Sequence, residues 1–156
     1  MKNTFSKGLL ILHLAVCLIL LSTIMAAAKV EVKHVLILHS YHRGLGWTDS
    51  IAKGIDDTLA NSDYQIETFT EYMDTKRIFN EKYLGDLATL FKYKYRNRSF
   101  DVIISSDDHA FQFLLKQHDN IFPNTPVVFC GVNYFKDEYI SSTPYFTGVV
   151  EAFSIK

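Results

Sequence analysis

Two carboxylates in succession, Asp107 and Asp108, close the apolar run Phe100 to Ser105. Such a pair can hold a metal, accept a phosphoryl group, cap a helix, or take the ammonium or hydroxyl group of a ligand. A second charged set, Glu71, Asp74, Lys76 and Arg77, follows the alternating stretch Tyr64 to Thr70. A third set, Ser40, Tyr41, His42 and Trp47, follows the run His34 to His39, with Gly44 and Gly46 between them. Asn133 comes just after Val127 to Cys130. In each case the chemistry-bearing residues fall directly behind an apolar run, which is where an open parallel sheet presents its ligand-facing loops.

The residue types narrow the chemistry. Gly44-x-Gly46 opens like a dinucleotide fingerprint, but Asp49 stands where the third glycine belongs, and no glycine-lysine phosphate loop occurs. His34 and His39 bracket one strand and lie about 16 Å apart at a rise of about 3.3 Å per residue, so they cannot share an ion. No cysteine or histidine cluster completes a tetrahedral site around His39 and His42, so neither metal nor cofactor is expected. A phosphoacceptor role for Asp107 and Asp108 would call for further carboxylates after the first strand, where this chain has Ser40-Tyr41-His42. Ser40, His42 and Asp108 could approach one another in such a fold, yet the nucleophile-elbow motif G-x-S-x-G is absent. What the first loop does offer is backbone amides at a helix start, suited to an anion, and the rings of Tyr41 and Trp47, suited to an apolar or cationic body. Asp74, Lys76 and Arg77 either pair among themselves to fix their loop or meet a ligand.

The elements that must position these residues follow from periodicity. His34 to His39 reads as a strand buried on both faces. Ile51, Ile55 and Leu59 form one apolar stripe of a helix with Thr48 as its expected N-cap. Tyr64 to Thr70 alternates like a strand near the sheet edge. Asn80 is the expected cap of a helix whose Tyr83, Leu84, Leu87, Phe91 and Tyr95 recur at spacings of three and four, with Lys92, Lys94, Arg96 and Arg98 as a solvated basic end. Phe100 to Ser105 is a third strand, and Asp107 or Asp108 is expected to cap the next helix. Pro126 to Cys130 and Phe146 to Val150 supply the fourth and fifth strands. Crossovers of this length return the chain in the same direction, which predicts a flavodoxin-like, three-layer α/β/α open parallel sheet in the order 2-1-3-4-5.

With 156 residues, 48% of them hydrophobic, the chain has enough material for one domain. Sixteen basic against seventeen acidic residues give no basic stripe for nucleic acid. Residues 1–28 differ in kind: Lys2 and Lys7 precede an apolar run from Gly8, and Ala26-Ala27-Ala28 resembles a signal-peptidase site. The segment from Gly8 to Ala28 is also long enough for an uncleaved hydrophobic membrane helix. Either way the expected location is outside the cytoplasm, periplasmic or membrane-anchored. Of the two cysteines, Cys17 lies in this segment, so Cys130 has no partner for an internal disulfide and reads as a small buried hydrophobe.

Taken together, VLILHSYHRGLGWTDSIAKGI, EYMDTKR, FDVIISSDDHAFQFL, FPNTPVVFCGVN and FTGVVE, spanning Val35 to Glu151, resemble the N-terminal lobe of the ABC-transporter substrate-binding-like periplasmic sensor domains of bacterial histidine kinases and related solute-binding proteins. The resemblance implies a class I periplasmic-binding-protein architecture in which a small polar or amphipathic ligand is held between two lobes. Residues 29–156 would be one such lobe, non-catalytic, with Ser40, Tyr41, Trp47, Asp74, Asp107, Asp108 and Asn133 lining one wall. A second lobe, a signalling partner, or a second copy would complete it, and half a cleft is expected to bind weakly. The readings that compete with this are a small exported hydrolase using Ser40 or the Asp107/Asp108 pair, and a dimerisation module.

Overall fold

The computed structural model describes His13 and residues 31–151, apart from Tyr134 and Ser142. The leader expected over residues 1–28 lies outside these, His13 excepted, and among the described residues no helix is long and apolar enough to cross a membrane. From Val32 onward the chain forms one compact unit. Its elements are β1 (Val32–His39), α1 (Gly46–Ala60), β2 (Gln65–Tyr72), α2 (Glu81–Lys94), β3 (Val102–Ser106), α3 (Asp107–Ile121), β4 (Val127–Val132), a 3-10 turn (Asp137–Tyr139) and β5 (Phe146–Val150).

All neighbouring strands pair in parallel, in the order β2-β1-β3-β4-β5, so the expected flavodoxin-like sheet and its order are what the molecule has. The central strand β1 buries Val35, Leu36, Ile37 and Leu38 almost completely, because both of its faces are covered. Leu36, Leu38, Ile103, Val127 and Phe129 point to the face covered by α2 and α3, where Phe91, Phe111 and Phe113 complete the main core. Helix α1 lies on the other face, against alternate positions such as Ile104 and Cys130. Its stripe of Ile51, Ile55 and Leu59 is only half-buried.

Two helix starts differ from expectation, each for a tertiary reason. Helix α1 begins at Gly46 behind Leu45, not at Thr48, whose side chain is fully buried in the first turn. The capping is done from inside instead: Asp49 reaches back to accept the Gly44 N–H at 2.9 Å, much as the acidic member of a capping box does. Helix α3 follows β3 with no intervening loop, so Ser106 takes the N-cap position and Asp107 and Asp108 become its first two residues, not its caps. By contrast Asn80 caps α2 as expected, its Oδ1 accepting the Tyr83 N–H at 2.9 Å. At the far edge, β4 runs through a register shift between Phe129 and Val132. Gly148 of β5 lies so close to it that a Cβ there would stand 2.1 Å from the Phe129 carbonyl oxygen.

Candidate functional site

Because every strand runs the same way, the loops after His39, Tyr72, Ser106 and Val132 emerge along one rim of the sheet. Ser40 ties three of them together. Its side chain is fully buried; Oγ donates to the Ser106 carbonyl at 2.7 Å and accepts the Ala110 N–H of α3 at 2.8 Å. The Ser40 carbonyl in turn accepts the Thr75 N–H at 2.9 Å and the Thr75 hydroxyl at 2.6 Å. Since that hydroxyl proton is committed to Ser40, Thr75 Oγ1 must accept at its 2.8 Å contact with His109, which places the proton of His109 on Nδ1. Burial lowers the pKa of His109, opposed by the Asp108 carboxylate and reinforced by Lys76, so the ring is neutral with an open acceptor at Nε2. Its face stacks on Phe79 at 4.0 Å.

The carboxylate pair is divided between two tasks. Asp107 is nearly buried, and its backbone is left-handed, with φ of 68°. The Trp47 indole N–H donates to its Oδ1 at 2.6 Å. On the other oxygen the Ser106 hydroxyl donates at 3.4 Å, while His39 Nδ1 lies 2.8 Å from the same hydroxyl. Burial raises the pKa of Asp107 against the pull of the Trp47 and Ser106 hydrogen bonds. Gly131, itself at φ of 67°, lets β4 pass close by: a Cβ there would come within 3.3 Å of Asp107 Oδ1. Asp108 instead holds the end of β4, accepting from the Asn133 backbone N–H at 2.9 Å and from Asn133 Nδ2 at 3.0 Å.

The elbow after β2 turns on Asp74, also left-handed at φ of 54°. Its carboxylate lies 3.3 Å from Arg77 Nη1 and 3.2 Å from His42 Nδ1, so the elbow charges do pair among themselves. Lys76 is directed elsewhere, with Nζ 4.6 Å from the centre of the Tyr41 ring. Burial raises the pKa of Tyr41, and Asp107 and Asp108 add to the effect, which places its hydroxyl in the field of both carboxylates. Glu71 is not part of the rim; it bonds to Lys94 and Tyr95 on the α2 side.

Of the seven residues singled out from sequence, all lie at or beneath this rim, at two depths. Trp47 is 48% exposed, and Tyr41, Asp74, Asp108 and Asn133 are half-buried, so these can meet a ligand. Ser40 and Asp107 are buried: Ser40 Oγ donates to one backbone group and accepts from another, and the Trp47 indole N–H donates to Asp107. Sequence reasoning missed Thr75, His109 and Phe79. The visible signals were the threonine beside Asp74 and the histidine after the carboxylate pair, but what joins them is Ser40, from a different loop.

Among the described residues no group of three or more histidine, cysteine or carboxylate side chains is arranged to hold a metal ion. The arrangement suits non-covalent recognition: aromatic faces outermost, neutral His109 as an acceptor, and carboxylates behind. No protein-family model matches the chain, and neither a curated protein nor a solved structure matches it.

Proposed function

We propose that residues 32–151 form a small-ligand-binding lobe of an extracytoplasmic sensor or substrate-binding-like protein, exported by its apolar leader and without catalytic activity. The ligand lies across the rim, its apolar or cationic body against Trp47 and Tyr41 and its polar group toward Asp108 and Asn133. The observation that carries this reading is the exposed Trp47 ring standing over the buried Asp107 carboxylate, within a rim whose serine is locked in structure. Aromatic faces beside carboxylates favour a body that is part ring and part donor. A facing lobe would enclose the ligand by hinge closure, and the ligand would bias that equilibrium only through its preference for the closed state.

Trp47 is the sole tryptophan of the chain, so its emission reports on the site without a label. Titration with phenethylamine, phenylacetate and benzyl alcohol is expected to give a saturable change with at least one of them, at millimolar concentration, weakened by Tyr41→Ala and Asp108→Asn. Absence of any saturable change overturns the reading. So does turnover of a simple ester that is lost on Ser40→Ala, which would make the protein a hydrolase.

A further inference from the structure

Between α2 and α3, beside the rim, lies a cavity of about 180 Å³ that none of the seven rim residues lines. Helix α3 supplies one wall from a single face, since His109, Gln112, Phe113 and Lys116 recur at spacings of three and four. The first turns of α2 supply the other wall with Glu81, Leu84 and Gly85. Gly85 makes the room: nothing lies within 4 Å of where its Cβ would stand. Phe79, from the elbow before α2, completes the lining; although half-exposed, its ring lies nearly parallel to that of His109, 11° apart in plane at 4.0 Å.

Size, charge and hydrogen bonding select the guest. An apolar cavity of about 150 Å³ holds one benzene ring, so this one admits a single ring with a small substituent. A helix, about 10 Å across, is too large for it. Phe79, Leu84 and Phe113 offer ring and aliphatic surface to such a guest. The charged residues of the lining, Glu81 and Lys116, pair with each other at 3.5 Å and are both exposed, so neither is set to hold an ion. His109 adds the polar requirement. Its Nδ1 proton goes to Thr75, and Nε2 has no partner among the described residues, so the ring has an acceptor to offer and no donor. A guest that satisfies it must bring the proton, and among neutral single-ring molecules the phenol O–H is the strongest donor. We infer that this cavity binds a small neutral aromatic molecule bearing a hydroxyl, its ring against Phe79, Leu84 and Phe113 and its O–H donated to His109 Nε2. The site is separate from the rim, and the inference does not rest on the ligand proposed there.

The test uses the full chain and two probes of nearly equal shape, para-fluorophenol, which donates, and para-fluorotoluene, which does not, each titrated by fluorine NMR. The phenol is expected to bind saturably at millimolar concentration. His109→Phe keeps a ring against Phe79 but removes the acceptor, and should weaken the phenol about fivefold while leaving the toluene unchanged. Gly85→Leu puts a side chain into the open space at a helical position that favours leucine over glycine, so it folds, and should weaken both probes by about tenfold or more. Trp47→Phe, at the rim, should change neither. The inference fails if the phenol does not bind the full chain, which is also the result if another part of the chain fills the cavity, or if Gly85→Leu binds it as tightly as the parent. It fails equally if Trp47→Phe weakens the phenol and Gly85→Leu does not, since the phenol would then sit on the rim. Equal weakening of both probes by His109→Phe overturns it too, because ring packing and not the hydroxyl would then be what the cavity selects.

Discussion

The two ends of the sheet are both rich in polar residues, and they spend them differently. At the starting end of the strands, Lys33 pairs with Asp101 at 3.5 Å, His34 with Glu67 at 3.1 Å, and Arg98 with Glu67 at 4.0 Å, all in contact with solvent. At the finishing end, Ser40, Thr75, Ser106 and Asp107 are buried, and bond mostly to backbone or to one another. Exposed ion pairs adjust solubility and helix dipoles at little gain in stability, whereas buried polar networks fix one geometry and are costly to leave incomplete. Left-handed backbone occurs at Asp74 and Asp107 at the finishing end, beside the buried network, and at Asn124 in the turn that leads into β4 at the starting end.

Substitutions should separate the ends in proportion. Ser40→Ala removes the bond to Ser106 and leaves the buried Ala110 N–H unpaired; urea unfolding should show a loss of about 2–3 kcal/mol. Asp107→Asn keeps a residue type that tolerates positive φ while removing a buried charge. It should raise stability at neutral pH by about 1 kcal/mol and weaken whatever ligand effect Trp47 emission reports.

Changing pH tests the same region without mutation. Burial lowers the pKa of His39 below its ordinary 6.5, and Nε2 has no hydrogen-bond partner to receive a proton-bearing ring. The unfolded chain therefore binds more protons than the folded one as pH falls below 6.5, so stability present at pH 7.5 should decline toward pH 5.5. His109 contributes in the same direction. Asp107 acts oppositely: its raised pKa means that the folded state takes up a proton first, which offsets part of the loss in more acid solution. Urea unfolding at both pH values, repeated with His39→Gln, should show a smaller decline in the variant. Smallest of all, Glu67→Gln at the opposite end should change stability by no more than about 0.5 kcal/mol; a loss as large as that of Ser40→Ala would erase the contrast between the ends.

The sheet order was legible because it depends on features carried locally: apolar runs of strand length, crossovers too long for hairpins, and a cap such as Asn80 that needs only its own helix. The depth of the site was not. Ser40 reads as a polar residue at a strand end, and only the direct passage of β3 into α3 brings the Ala110 N–H down to its hydroxyl. Thr48 reads as a cap, but its burial and the reach-back of Asp49 are decided by how α1 settles on the sheet. The stripe Ile51, Ile55 and Leu59 predicted an inward face for α1, which the structure covers only in part.

The chain of bonds from Thr75 through Ser40 to Ser106 and Ala110 has a mechanical consequence. Three of the four loop tips are pinned to the same serine, so none can swing over a guest by itself without breaking contacts shared with the others. A guest at the proposed site would therefore meet these tips as one fixed floor, not as three separate flaps.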